Sequence, residues 1–172
     1  MSVKSTNTRI LAEVSITVAL SIVLNYIKIF QLPYGGSITL GSMVPVLLIA
    51  YRRGPKVGIF TGAVFGLVQM ALDGYVYNPV GMILDYPLAF GCLGLAGFFK
   101  NQPLLGVVVA LSGRLLSHFV SGVVFFAMYA PEGWSPVVYS AVYNSSYMLP
   151  EMVISGIIIY LIYKRMPQLL NA

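Results

Sequence analysis

Charge is the scarcest commodity in this sequence: Asp, Glu, Lys and Arg make up 9% of 172 residues. A soluble domain carries about 25%, so a water-facing surface of this size is excluded. There is a single cysteine, Cys92, inside an apolar run, which excludes a disulfide framework and a thiolate metal cluster. No GxxxxGK[ST] phosphate loop occurs, and too few residues remain outside the apolar runs for a nucleotide-binding domain. The pI is near 9.4, yet the basic residues are scattered without an interleaved aromatic patch, which argues against nucleic acid. One histidine with two distant carboxylates is a poor metal set.

What the chain has instead is apolar length. It is 58% hydrophobic, with a mean hydropathy of +0.86. A spanning helix needs ~20 apolar residues, and Pro, Gly and charge punctuation divides the sequence into six spans. They run about 9–28, 38–51, 55–73, 80–99, 103–128 and 136–164. The second is short and interrupted by Pro45. No repeat or linker divides the chain, so 1–172 reads as a single integral membrane domain. The first apolar run has no small-residue cleavage site after it and reads as a retained helix.

The basic residues give the orientation. Lys4 and Arg9 precede span one, Arg52, Arg53 and Lys56 lie between two and three, Lys100 between four and five, and Lys164 and Arg165 after six. An even span count puts all eight on one side, with Lys28 the lone exception opposite. The positive-inside rule then makes both termini cytoplasmic.

The other side carries FQLPYGGS at 30–37, DGYVYNP at 73–79 and YAPEGWSP at 129–136. Tyr34, Tyr75, Tyr77, Tyr129, Trp134, Tyr139, Tyr143 and Tyr147 crowd that end, as headgroup-level anchors or as the lining of an outer pocket. Ionisable groups within spans cost ~2.5–3.5 kcal/mol on insertion scales and mark function or a partner. Here they are Glu13, Asp85, Arg114, His118 and Glu151, with the amide Asn144. A rise of ~1.5 Å per residue puts Asp85 roughly 8 Å, Asn144 roughly 12 Å and His118 roughly 15 Å from the outer face. Three spans thus deliver polar groups to the half where the rings cluster.

Arg114 and His118 are four apart and share a helix face, which Ser121 and Gly122 continue. Glu151 lies at a depth close to that of Arg114, and Asp85 is the other acid within reach, so two partners stand open. Asp85 precedes Pro87 by two residues, where it can also satisfy a loosened helix start. The set of one carboxylate, a histidine, an amide and stacked rings suits a cationic or hydrogen-bonding heteroaromatic ligand. Catalysis has little behind it: Ser117 is read as pointing off the His118 face, and no GxS or oxyanion signature accompanies Ser121. Gly58, Gly62 and Gly66 recur every fourth residue along span three and let backbones approach. Ser15 and Ala19 on span one share that interval, with Ala12 and Ser21 nearby, either for packing in the bundle or as a smooth face for another protein.

The stretches EVSITVALSIVL, PYGGSITLGSMVPVLLIAYRRGPKVGIFTG, LDYPLAFG, GRLLSHFVSGVVFF and YSAVYNSSYMLPE resemble the thiamine-specific substrate-binding (S) components of energy-coupling factor (ECF) transporters. The resemblance runs from about residue 9 to 165, with its blocks in order. It implies an all-α, six-helix S-component fold in the cell membrane that binds thiamine from outside. Import is then powered by a transmembrane component and two ATPase subunits, with no bond-making and no cofactor in this chain.

Residue by residue, the resemblance puts the acid–Tyr pair of the fourth helix on Asp85 and Tyr86, where the family commonly has Glu for the acid. The fifth-helix His falls on His118, the following Gly on Gly122, the basic residue a turn before on Arg114, and an aromatic, Trp in the family, on Phe126. The sixth-helix Tyr and Asn fall on Tyr139 and Asn144. The lid's stacking Trp has no counterpart in IFQLPYGG, leaving Phe30 or Tyr34. The small-residue motif that docks the transmembrane partner falls on Ser15 and Ala19, with Ser in place of the usual Ala. The competing readings are an S component for a thiamine precursor or another heteroaromatic vitamin, and a self-sufficient small-molecule transporter.

Overall fold

A computed structural model describes residues 3–74 and 78–170. Tyr75 and Tyr77 lie outside the described residues.

Proline and glycine set most of the helix boundaries. The first helix, α1, is Val3–Tyr26. The others are α2, Val44–Arg53, α3, Pro55–Asp73, α4, Pro79–Phe98, α5, Pro103–Phe125, and α6, Pro136–Arg165. All but α1 carry a proline in the first turn, where its missing N–H costs nothing. Asn78 caps α4 by accepting from Val80 N at 2.9 Å, and Ser135 caps α6 through Val138 N at 3.2 Å. Gly54 at φ 90° takes the turn between α2 and α3.

Between α1 and α2 the chain forms a two-stranded antiparallel hairpin, β1 Lys28–Gln31 and β2 Ser37–Thr39. This corrects the span expected over 38–51. Ile38 to Leu40 belong to the hairpin and its exit, and Pro45 starts a ten-residue helix instead of interrupting a longer one. Among the described residues five helices, all but α2, are long and apolar enough to cross a membrane. The fifth span also ends earlier than 128. Phe126 caps α5, and Ala127–Tyr129 form a separate short turn.

The glycines of α3 meet α4 closely. A Cβ on Gly62 would sit 2.1 Å from the Phe90 carbonyl oxygen, and one on Gly66 2.5 Å from that of Tyr86. The expected backbone approach along this face is therefore present. At Leu84–Leu88 α4 widens into a π-turn around Pro87, as happens where a proline removes a backbone donor. The Leu84 carbonyl in that turn accepts from Ser117 Oγ at 2.6 Å. Ser117 thus faces α4 and is buried, its hydroxyl spent on that carbonyl. The buried side chains Leu47, Tyr51, Phe65, Leu93, Leu111 and Met148 join α2 to α6 in one core.

Glu13 is bound on two sides. Arg53 grips it through Nε (2.7 Å) and Nη2 (2.6 Å), and Arg9 adds a contact at 3.3 Å. The pair pins α1 to the end of α2, so this intramembrane acid has a structural partner.

Candidate functional site

A cavity of about 860 Å³ opens at the hairpin end of the bundle. Its floor and one wall come from α4, α5 and α6, its other wall from α3 and the end of α1, and its cover from residues 31–37.

The polar centre is built by three helices. The π-turn of α4 presents Asp85, whose Oδ1 lies 2.8 Å from His118 Nδ1 and whose Oδ2 accepts from Ser121 Oγ at 2.6 Å. One turn below, Arg114 Nε donates to His118 Nε2 at 3.2 Å. A guanidinium is always a donor, so His118 Nε2 carries the lone pair and Nδ1 carries the proton given to Asp85. The chain Arg114–His118–Asp85–Ser121 leaves each carboxylate oxygen a further lone pair, on a residue that lines the cavity.

Arg114 is held by two softer contacts besides. Its Nη1 lies 2.6 Å from Met43 Sδ, and its Cζ sits 4.1 Å above the Phe90 ring centroid. Among the described residues no ion pair joins it to Glu151 or to Asp85. Both partners open in the sequence reading give way to the imidazole, the thioether and the ring. Glu151 turns instead to the hairpin, where its Oε1 accepts from Thr39 N at 2.5 Å and Thr39 Oγ1 at 2.7 Å.

Asn144 spans the seam between α5 and α6. Its Nδ2 donates to Ser140 O at 2.9 Å and His118 O at 3.3 Å, while its Oδ1 accepts from Tyr147 at 2.8 Å. Gly122 belongs to the same seam. A Cβ there would lie 2.3 Å from Ser140 Oγ, so its smallness lets the two helices meet.

The rings form the upper wall. Tyr139, Tyr143 and Tyr147 succeed one another every fourth residue on α6, with successive centroids 5.8 Å apart. Phe126 stacks on Tyr129 at 6.1 Å, and Tyr34 packs on Tyr129 at 4.3 Å. Tyr34 reaches that position from a left-handed backbone at φ 65°, a conformation costly for a side chain of its size. Tyr143 fastens the cover: its hydroxyl accepts from Gly36 N at 3.0 Å and donates to the Pro33 carbonyl.

The cavity therefore gathers Asp85, Tyr86, Arg114, His118, Gly122, Phe126, Tyr139, Asn144 and Tyr34 along its wall. Phe30 is not brought in. It lies on the exposed hairpin strand, 58% exposed and off the cavity wall. Trp134 is likewise exposed and apart from the wall. Ser15 and Ala19 sit on the outward face of α1, with Ser15 Oγ bonded back to Leu11 O at 3.0 Å. Gln69, Phe90 and Ser140 are wall residues that reading ionisable groups alone missed. For Gln69 the available signal was an amide in an apolar span, the same signal that singled out Asn144.

The chain resembles known proteins along nearly its whole length. The thiamine transporter ThiT of Bacillus subtilis is 33% identical, over 94% of both chains. The one of Lacticaseibacillus paracasei is 28% identical over 95% of this chain and 90% of its own. The solved ThiT of Listeria monocytogenes superposes with a TM-score of 0.88 at 29% identity, over 97% of this chain and all of that one. A structure described as the S component of a bacterial ECF transporter superposes at 0.64 with 24% identity, over 95% and 98%, and shares the fold. The fold is that of an ECF S component, in a multi-pass cell-membrane protein of a transporter family that is not one of enzymes. The model of the family Thiamine transporter protein (Thia_YuaJ) matches residues 11–171, and the chain belongs to that family.

Proposed function

We propose that this chain is the thiamine-binding subunit of an ECF-type importer, a single membrane domain that takes thiamine from outside with high affinity. It hands the vitamin to a transmembrane component and two ATPase subunits. The observation that carries the reading is the covered cavity with the Asp85–His118–Arg114 chain in its floor and a ladder of tyrosines in its wall. Thiamine has the matching chemistry: an aminopyrimidine with donors and acceptors, and a cationic thiazolium that suits aromatic faces.

In this reading Asp85 accepts from the exocyclic amine. Asn144 Oδ1 uses the lone pair left beyond its Tyr147 bond, and Tyr86, Phe126, Tyr139 and the His118 ring enclose the two heterocycles. Arg114 and Gly122 act on the wall itself, the first by fixing the His118 tautomer and the second by setting the spacing of α5 and α6. The 30–37 segment is the lid, with Tyr34 as the ring that closes it. Both termini are cytoplasmic, which turns the cavity outward, and Ser15 and Ala19 offer the transmembrane component a smooth helix face.

Calorimetric titration of the purified chain tests this, with riboflavin, biotin and the two separate thiamine precursors as competitors. Saturable binding of thiamine alone is expected. Asp85→Ala and His118→Ala lower affinity by about 100-fold each, as expected for a lost charged hydrogen bond, while the protein still expresses and melts cooperatively. Absence of thiamine binding by the unaltered chain overturns the function, and unchanged affinity in both variants overturns the site.

A further inference from the structure

The base of the cavity's cover is fastened to an acid that the site itself does not use. Glu151 is 1% exposed, midway along α6, and is not part of the cavity wall. Its Oε1 takes two donors from the end of β2, Thr39 N at 2.5 Å and Thr39 Oγ1 at 2.7 Å. Thr39 is tied in turn to the chain that leads into α2. Its Oγ1 lies 2.9 Å from Ser42 Oγ and accepts from Ser42 N at 3.2 Å. The other carboxyl oxygen, Oε2, is buried and has no hydrogen-bond partner among the described residues.

That asymmetry bears on the proton. An ionised carboxylate shut away from water needs donors or a cation on both oxygens, and one left bare costs far more than an unpaired neutral hydroxyl. No cation makes up the difference. Arg114 is directed at His118, Met43 and the Phe90 ring, and among the described residues no ion pair reaches Glu151. Asp85, one imidazole away from Arg114, already balances the guanidinium. The cheaper state of Glu151 is the neutral acid, with its proton on Oε2 and Oε1 as the carbonyl oxygen that receives Thr39.

We infer that Glu151 is a positioning residue for the lid, a protonated latch that holds the base of the hairpin through a neutral carbonyl acceptor. It acts through Thr39, which fixes where β2 meets α6 and so where the cover lies over the cavity. Being neutral, it holds the strand by ordinary hydrogen bonds, weaker than those to a charge, and the cover can part from α6 without stranding an ion in the bundle. The inference rests on the reading of 30–37 as the lid of a thiamine site.

The test follows thiamine release in a stopped-flow chase and the carboxyl group by infrared spectroscopy. Glu151→Ala removes the acceptor of both Thr39 bonds and should quicken release about tenfold. Glu151→Gln, whose amide oxygen takes the place of Oε1 without a charge, should restore release to within about twofold of the unaltered rate. The infrared difference between the unaltered chain and Glu151→Gln should hold a carboxylic-acid carbonyl band and no carboxylate band. Gln as fast as Ala, or a carboxylate band, overturns the protonated latch, and unchanged release in both variants overturns the latch altogether. If Glu151→Ala fails to fold, Thr39→Val removes one of the two donors and should quicken release about threefold; unchanged release there also overturns it. An unaltered chain that binds no thiamine overturns the thiamine reading, and the lid role with it. A carboxylic-acid band in that same protein would show that the failure does not lie in the proton on Glu151.

Discussion

Toward the basic end of the molecule α3 and α4 touch backbone to backbone, whereas toward the hairpin the same two helices part around a cavity. In the first region a Cβ on Gly58 would sit 2.9 Å from Gly94 Cα, and one on Gly94 2.0 Å from Ile59 N. In the second, the i+4 run of glycines stops at Gly66, α4 widens into its π-turn, and the next residues on that side of α3 are Gln69 and Asp73. The difference teaches how a small membrane protein makes a rigid site from few residues. Between helices in lipid, where the hydrophobic effect does not drive association, close packing of small residues supplies the rigidity. The irregular turn then aims a carboxylate into the space that opens beyond the seam.

The comparison breaks most completely at Gly62. A side chain there meets the Phe90 carbonyl oxygen 2.1 Å away and Gly91 Cα at 3.2 Å, backbone atoms on both counts. Gly62→Leu is expected to cost above ~3 kcal/mol, read as loss of a monodisperse peak and of a cooperative melt in detergent. If the variant instead folds and binds normally, the seam is not what holds the cavity.

The cover is a gentler break. It is held at its base by Thr39 on Glu151 and at its tip by Gly36 and Pro33 on Tyr143, so a single helix, α6, carries both fastenings. Tyr143→Phe removes the tip contacts and leaves the ring in the ladder. At ~0.5–1.5 kcal/mol per net hydrogen bond, ligand dissociation should quicken by about 3–10-fold in a stopped-flow chase. The melting temperature without ligand should barely move. A slowed or unchanged release would leave the lid's hold to Glu151 and to the packing of Tyr34 on Tyr129.

The contrast between the two regions was unevenly legible in the sequence. The seam could be read outright: Gly58, Gly62 and Gly66 have helical spacing, and the span 55–73 is bounded by Gly54–Pro55 and Gly74, so α3 falls where its punctuation puts it. Asp85 and His118 could also be read, because depth along a helix follows from counting residues. Counting does not give the direction a side chain points, which is why Arg114 was matched to acids of suitable depth and is found on His118, Met43 and Phe90. The hairpin was hidden by its own hydrophobicity. Ile38–Leu40 and the apolar run after Pro45 merge into one stretch, and only the turn at Gly41, with φ 82°, separates them. Gln69 was passed over although, like Asn144, it is an amide within an apolar span.

The smallest effect is the sharpest on the lid. Two rings in the 30–37 segment stood equal in the sequence, Phe30 and Tyr34. The hairpin separates them by geometry, because β1 holds Phe30 opposite Ile38, exposed and off the wall that Lys28 and Gln31 of the same strand join. Tyr34 at the tip turns over onto Tyr129. Phe30→Ala should therefore leave thiamine affinity within about twofold, as for any surface substitution away from a special feature. Tyr34→Ala should weaken it several-fold through loss of a ring worth ~0.5–1.5 kcal/mol beyond its buried area. Calorimetry on the two variants side by side decides it. A loss at Phe30 equal to that at Tyr34 would mean that the strand β1, and not only the tip, folds inward over the ligand.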